Sequence, residues 1–303
     1  MDAIEQTKLV ISELQKLPMV SENIQQIIDL VRYLRFPIVE SVAENGFTIV
    51  RARRGDGYRT QSEVSYKTAS LCKTAQRASL PNQTVFYGVL SDDERHLENA
   101  RAICVAECSK LYGEGILAAG REKITSTQWR ITDDIRVACI MSANSFDGVT
   151  NNKLLENTKA NFLAKFSGDL GVLNIEEFVE HEFSKKVQTG NESEYLLSAS
   201  IANALLYSYG FEAVAYPSVK FGGQAGLNIA IRPDVVDSKL QLLNIVEQCY
   251  YQNGTNAILR QELVFDIKNK VCTPINKTTD AELCTILGKF SIEVQKFEGF
   301  QAL

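Results

Sequence analysis

The chain is poor in histidine, with two among 303 residues, His96 and His181. A structural zinc site uses about four nitrogen or sulfur ligands, and the Cys104 and Cys108 pair has no second ligand pair elsewhere in the sequence. A serine hydrolase of the usual kind needs a Gly-x-Ser-x-Gly turn, and the sequence contains none. We therefore expect neither a metal site nor histidine-dependent hydrolysis.

A basic surplus and a long apolar run are also missing. The formal net charge is -5 and the pI is about 5.3, so the broad electrostatic footprint of a nucleic-acid binder is absent. An anionic ligand must then be met by a local group of arginines. No stretch approaches the roughly 18 apolar residues of a membrane span, and the start of the chain is polar and acidic, unlike a secretory signal. We expect binding to neither nucleic acid nor membrane.

The standard phosphate-binding loops are absent as well, since neither a P-loop nor a Gly-x-Gly-x-x-Gly motif occurs. Seven scattered cysteines form an odd set, which is typical of reduced thiols and predicts a cytoplasmic protein. Hydrophobic content of 45% and charged content of 23% are those of a globular chain with a substantial core.

The order of hydrophobic patterns predicts an α+β protein with helices flanking a sheet. Residues 2–45 are expected to be helical, with a break at Pro37 and one more helical turn over 38–44. A polar stretch over 55–82 predicts a functional or mobile loop. Strands are expected at 47–53, 84–90, 124–131, 135–141, 215–219, 228–231, 240–251, 257–266 and 270–275, and helices at 91–112, 151–167, 174–187 and 193–209.

Two arginines and a tyrosine are candidate binding residues on the predicted strands. Arg51 and Arg53 face the same side of one strand, because side chains repeat every two residues. They either decorate an edge strand against aggregation or bind a phosphate. Tyr87, beside Gly88, is either a core aromatic or a flat stacking surface.

Three further polar residues stand where apolar ones are expected. Glu107 follows Ile103, Val105 and Ala106, which predicts a carboxylate on the inward face of a helix, whereas Glu98 on the same helix is expected to be solvated. Ser218 and Asn228 flank a loop with three glycines, and they either tie down their own turn or face a ligand across it.

Taken in order, these segments resemble the RES-domain family, named for its Arg, Glu and Ser. The resemblance covers about 47–110 and 195–245 and is most specific around Ser218 and Asn228. The segments that carry it are Arg51-Ala52-Arg53, Gln76-Arg77-Ala78-Ser79-Leu80-Pro81, Val85-Phe86-Tyr87-Gly88, Ala106-Glu107-Cys108-Ser109, Ser200-Ile201-Ala202-Asn203, Tyr216-Pro217-Ser218-Val219 and Gly226-Leu227-Asn228-Ile229-Ala230-Ile231-Arg232-Pro233.

The resemblance implies a fold similar to ADP-ribosyltransferases, with a mixed or antiparallel sheet core, and an activity that destroys NAD by phosphorolysis or hydrolysis of the nicotinamide–ribose bond. NAD is then a substrate, with inorganic phosphate as a candidate co-substrate, and no cofactor is implied. The implied catalytic residues are Arg51, Tyr87, Glu107 and Ser218, and the implied substrate-binding residues are Arg53, Arg77 and Asn228.

The sequence departs from the family pattern at two places. Ala52 stands where some members have a tyrosine after the arginine. The spacing from Tyr87 to Glu107 is longer than in compact members, which keeps Glu98 as a second candidate for the family glutamate. A mono-ADP-ribosyltransferase and a catalytically silent nucleotide- or partner-binding module are the alternatives.

The expected organisation is a helical N-terminal extension over 1–46, a RES-like catalytic domain over 47–250 with an insertion at about 113–190, and C-terminal strands and tail over 251–303 packed on the same domain. By resemblance, the partners are NAD and a cognate antitoxin or immunity protein. The sequence leaves open the oligomeric state and the acceptor of the reaction, which is water, phosphate or a macromolecule.

Overall fold

The computed structural model describes residues 3–36, 38–93, 96–113, 119–140, 153–166, 169–188, 190–218, 227–254, 256–275 and 280–289. The helices are α1 (Ala3–Lys16), α2 (Ile24–Val31), α3 (Gln61–Val64), α4 (Leu97–Cys108), α5 (Lys110–Gly113), α6 (Lys153–Phe166), α7 (Leu170–Ser184), α8 (Leu196–Asn203), α9 (Pro233–Lys239) and α10 (Asp280–Lys289). The strands are β1 (Val39–Ala43), β2 (Thr48–Arg54), β3 (Phe86–Ser91), β4 (Ala119–Ile131), β5 (Ile135–Cys139), β6 (Ala213–Pro217), β7 (Leu227–Ile231), β8 (Leu240–Asn253), β9 (Asn256–Asp266) and β10 (Val271–Pro274).

These elements form two compact units, and the α+β prediction is confirmed. The first unit comprises Met1–Phe47, Tyr66–Asp92 and Ile131–Leu240, and the second comprises Thr48–Ser65, Asp93–Arg130 and Gln241–Leu303. The chain passes between the units several times, so each unit is assembled from segments that are distant in the sequence.

The first unit is a mixed sheet covered by helices. Its strands lie in the order β1-β5-β6-β7-β3, with β5 and β6 parallel and the other neighbours antiparallel. One face packs against residues of α1, α2, α7 and α8 in a single apolar core. Within that core Leu14, Ile27 and Ala199 are fully buried, so α1 and α2 are built into the first unit by their apolar faces.

The predicted helical turn at 38–44 is wrong, because this segment forms β1. Val39, Ser41 and Ala43 are buried while Glu40 and Val42 are exposed, which is the period-two burial of a strand. β1 pairs antiparallel with β5, and Val39 lies opposite Cys139. The pairing is long-range, so a local pattern of five residues did not reveal it.

In the second unit the strands lie in the order β2-β4-β8-β9-β10. Trp129 of β4 is fully buried, and its indole N–H donates to Thr127 Oγ1 at 2.9 Å. α10 packs Leu283 and Leu287 against Cys249 and Tyr251 of β8.

The polar stretch after β2 is held in place by hydrogen bonds. Thr60 and Glu63 form a capping box at the start of α3. The Gly57 N–H donates to Glu247 Oε1 at 2.9 Å, and Thr125 Oγ1 donates to the Gly55 carbonyl at 2.7 Å. Residues 55–63 therefore form defined hydrogen bonds, so the first part of this stretch is not a mobile loop.

The start of α7 gives a direct stability prediction. The Asp169 carboxylate accepts from the N–H groups of Gly171 at 3.0 Å and Val172 at 3.2 Å. Replacing Asp169 by alanine removes the acceptor of two N–H groups in the first turn that have no partner within the helix. We therefore expect a loss of about 1 kcal/mol in the free energy of unfolding. Urea denaturation measures it, and Glu177→Ala, an exposed change within α7, serves as control. A loss no larger than that of the control would contradict the capping role.

Candidate functional site

Three of the residues expected at the site lie on one face of neighbouring strands in the first unit. Asn228 of β7 lies opposite Val89 of β3 on one side and Tyr216 of β6 on the other. Since side chains alternate along a strand, Tyr87, two residues before Val89, shares this face. Ser218, two residues after Tyr216, follows β6 on the same side. Tyr87 and Ser218 are therefore diagonal neighbours of Asn228, at roughly 7–8 Å between backbone positions.

All three side chains are withdrawn from bulk water to different degrees. Ser218 is fully buried and Asn228 is 9% exposed, while Tyr87 is partly buried against the apolar core. Buried hydroxyl and carboxamide groups are costly in an apolar face unless they form hydrogen bonds. The three side chains thus form a polar group within a largely apolar face of the sheet.

A short turn holds the hydroxyl of Tyr87. The Ala78 N–H donates to Tyr87 Oη at 3.1 Å, and the Ser79 hydroxyl lies 3.1 Å from the same oxygen. The turn is closed by a bridge between Gln76 and Ser79. Burial raises the pKa of Tyr87 to about 12, against the opposing effect of its hydrogen bond with Ser79. The group at this position is thus a neutral phenol at physiological pH.

Tyr216, on the same face of the sheet as Tyr87, also belongs to the apolar core. Tyr216 packs on Phe183 of α7 with ring centroids 5.4 Å apart. Gly88 is buried, but as the next residue along the strand it faces the side opposite to Tyr87. Gly88 therefore leaves no additional space above the Tyr87 ring.

In the second unit Arg51 and Arg53 share a face of β2, as predicted. They lie opposite Thr127 and Thr125 of β4. Helix α4 covers the other face of β2, where Cys104 Sγ donates to the Val50 carbonyl at 3.0 Å and Ala52 packs with Val105. Arg51, which is half-buried, thus lies on the face of β2 that is opposite to α4.

Arg53 is occupied by its own chain. Its two terminal nitrogens donate to the carbonyls of Glu63 at 2.6 Å and Ser65 at 2.5 Å. Burial lowers the pKa of Arg53, although the group stays charged at neutral pH. The arginine proposed for substrate binding therefore clamps the end of α3 onto β2.

This clamp gives a second stability prediction. Arg53→Gln removes two hydrogen bonds from a charged donor, so we expect a loss of about 2–3 kcal/mol in the free energy of unfolding. Limited proteolysis should also reach the 55–65 segment sooner. Arg32→Gln, an exposed arginine on the first unit, is the matched control. Equal cleavage rates for the two variants would rule out the clamp.

Arg77 has a similar structural role in the first unit. Its guanidinium donates to the carbonyls of Phe183 and Lys185, the latter at 2.9 Å. It also lies over the Tyr195 ring, 4.9 Å from the centroid. Arg77 thus fastens the end of α7 to the 3₁₀ segment before α8.

Glu107 is exposed, which corrects the expectation of an inward-facing carboxylate. The α4 residues just before it, Ile103 and Ala106 among them, are buried, so the exposure is that of the Glu107 side chain and not of the whole last turn. Glu98, in the first turn, is also exposed and forms an ion pair with Arg101. Nine residues separate the two glutamates, which places them on opposite sides of the helix at about 100° per residue.

Ser79 and Tyr216 are site residues that the sequence did not single out. Both stand in segments that carry the family resemblance, beside the residues that were chosen. Their roles depend on a turn that brings Ser79 back to Tyr87 and on the register of β6 with β7. The family motif therefore indicated where these residues stand in the sequence but not which residues they contact in the fold.

The structure describes no residue of the glycine loop between β6 and β7, so the space predicted there lies outside the described residues. In the described part of the chain, no group of three or more His, Cys, Asp and Glu side chains could hold a metal ion. Among the described helices, none is long and apolar enough to cross a membrane.

No protein-family model matches this chain, and no curated protein matches it. Among solved structures, the chain is similar to a chain from the crystal structure of the MbcT–MbcA toxin–antitoxin complex of M. tuberculosis. The sequence identity is 15%, the match covers 76% of this chain and 93% of that chain, and the TM-score is 0.31.

Proposed function

We propose that this protein consumes NAD by cleaving the nicotinamide–ribose bond, as a RES-type toxin with an ADP-ribosyltransferase-like core. The observation that carries the proposal is the placement of Tyr87, Asn228 and Ser218 on one face of β3, β7 and β6. Tyr87 is 131 residues from Ser218 and 141 residues from Asn228 in the sequence, and all three are positions at which the sequence resembles the family.

The residue types suit this chemistry. Nicotinamide leaves NAD as a neutral molecule, so the departing group needs no general acid, and the transition state resembles an oxocarbenium ion. The Ser218 hydroxyl and the Asn228 carboxamide are hydrogen-bond donors for phosphate and ribose oxygens. The neutral phenol of Tyr87 flanks the nicotinamide ring, and its apolar ring keeps water away from the reacting bond.

For the second unit, the sequence resemblance alone supports the roles proposed for Arg51 and for a glutamate. Arg51 binds the pyrophosphate or the attacking phosphate, because a guanidinium pairs with phosphate through two parallel hydrogen bonds. A carboxylate stabilises the positive charge that develops on the ribose. Glu107 and Glu98 are both exposed, so they stay alternatives for this one role.

A silent binding module is the second candidate. Arg53 and Arg77 were expected to bind substrate, but both donate to backbone carbonyls. This occupancy favours the silent module. Such a module would bind a nucleotide without turnover and serve a partner, for which a cognate antitoxin is the proposal by resemblance.

The test uses the purified full chain with NAD labelled in its adenosine half, with and without inorganic phosphate. We expect nicotinamide release with label recovered as ADP-ribose or its 1-phosphate, and a phosphate-dependent rate would identify phosphorolysis. Label transferred to protein or nucleic acid in an added lysate would indicate a mono-ADP-ribosyltransferase. NAD that binds and is recovered intact would favour the silent module.

A further inference from the structure

The turn from Gln76 to Ser79 is fastened to the first unit at several points. The Gln76 N–H donates to the Ser79 carbonyl at 2.9 Å, and the Ser79 N–H donates to the Gln76 carbonyl at 3.2 Å. Ala78 is buried in the apolar core of this unit. The Arg77 guanidinium donates to two carbonyls at the end of α7. The turn is therefore held in a fixed place relative to the helices that cover the sheet.

This turn holds the far end of the Tyr87 side chain. The Ala78 nitrogen and Ser79 Oγ each lie 3.1 Å from Tyr87 Oη, so the phenol oxygen has two hydrogen bonds to one short segment. Ser79 is buried, and water competes little for its hydroxyl. Tyr87 as a whole is only partly buried, so its exposed part is the ring and not the hydroxyl.

We propose that Ser79 is a positioning residue, which fixes the orientation of the Tyr87 ring through the phenol oxygen. The inference rests on the proposed function, in which the Tyr87 ring flanks the nicotinamide. The ring turns about two side-chain torsions, and hydrogen bonds from a fixed turn to its far end restrict both. A ring held in one orientation favours the bound geometry in which the nicotinamide–ribose bond breaks. Ser79 thus acts on the reaction through Tyr87 and does not itself touch the substrate.

Steady-state kinetics of nicotinamide release tests this role. Ser79→Ala should lower kcat about ten-fold and change KM by less than about two-fold, because it removes a hydrogen bond that fixes a reacting geometry and not a contact with NAD. Ser41→Ala is the matched control. Ser41 is another buried serine of the first unit, and its hydroxyl lies 2.8 Å from the Thr158 hydroxyl. This variant should keep kcat and KM within about two-fold of the wild type.

A double-variant cycle separates positioning of Tyr87 from a general loss of stability. In Tyr87→Phe the turn has no phenol oxygen to hold, so adding Ser79→Ala should lower kcat by less than about two-fold further. A purely structural role of Ser79 would give the same decrease in both backgrounds. Equal effects of Ser79→Ala in wild type and in Tyr87→Phe, or an unchanged kcat for Ser79→Ala alone, would overturn the proposal.

Hydrogen exchange of the Ala78 amide, followed by NMR on the full chain, measures the same contact without NAD. Exchange should be slow in the wild type, about ten-fold faster in Ser79→Ala and unchanged in Ser41→Ala. A wild type that releases no nicotinamide would refute NAD cleavage, and with it any positioning role in that reaction. Unchanged exchange in Ser79→Ala, in a chain that does cleave NAD, would refute the hold on Tyr87 alone.

Discussion

Replacing Ser218 by alanine is expected to lower kcat/KM for NAD cleavage by about 10- to 100-fold, because a hydrogen bond to a charged phosphate oxygen contributes about 1.5–3 kcal/mol. Ser218 is fully buried and directly follows β6, so alanine removes one oxygen without opening the fold to solvent. If the hydroxyl acts mainly in the transition state, kcat falls and KM stays nearly constant. Initial rates of nicotinamide release over a range of NAD concentrations separate the change in kcat from the change in KM.

A second buried serine provides the control for this experiment. Ser200 is 2% exposed and donates to the Leu196 carbonyl at 2.7 Å within α8, so its hydroxyl is used by its own helix. Ser200→Ala should therefore retain the wild-type rate within about two-fold. Equal rates for Ser218→Ala and Ser200→Ala would show that the Ser218 hydroxyl has no role in the reaction, even if both proteins cleave NAD.

Tyr87 is expected to make folding sensitive to alkaline pH. Its pKa is about 12 in the folded protein and about 10 in an unfolded chain, so the unfolded state loses the proton first. The stability that the neutral phenol contributes is complete below pH 10 and is lost as pH rises through 12. Tyr87→Phe lacks this titration, so between pH 8 and pH 11 the wild type should lose about 1 kcal/mol more than the variant.

Guanidinium denaturation at the two pH values, with a thiol reductant, gives this difference. At pH 8 the variant should already be about 1–2 kcal/mol less stable, because the Ala78 N–H loses its acceptor. Burial also raises the pKa of Tyr250 and Tyr251, but these tyrosines titrate in both proteins and cancel in the difference. Tyr33→Phe, at a 61% exposed position, should follow the wild type. If the free energies of unfolding of Tyr87→Phe and wild type changed equally with pH, the burial of the Tyr87 phenol would be contradicted.

Local periodicity predicted the elements that carry the candidate site. The strands expected at 84–90 and 215–219 correspond to β3 and β6, and the paired placement of Arg51 and Arg53 on one side of β2 follows from a period of two. The antiparallel pairing of β6 with β7, expected from the two strand patterns around the glycine loop, is also present.

Long-range partners could not be predicted from the sequence in this way. Arg53 and Arg77 satisfy backbone carbonyls that lie 10 to 108 residues away, and a local pattern holds no information on such partners. Glu107 has the angular position of a buried residue but is exposed, whereas its neighbours Val105 and Ala106 in the same turn are buried, so the buried side of α4 changes near its end. The β1 strand was missed for the same reason, because its hydrogen bonds are made with β5, almost 100 residues later.

The most direct test of the proposed activity is the rate of nicotinamide release from NAD by the wild-type chain, compared with a Glu98→Gln/Glu107→Gln double variant at equal concentration. The double variant removes both candidate carboxylates at exposed positions of one helix, so its fold should be intact, and circular dichroism checks this. We predict that the wild type releases nicotinamide in step with NAD loss and that the double variant is at least about 100-fold slower. Wild-type release no faster than that of the folded double variant would contradict NAD cleavage at this site.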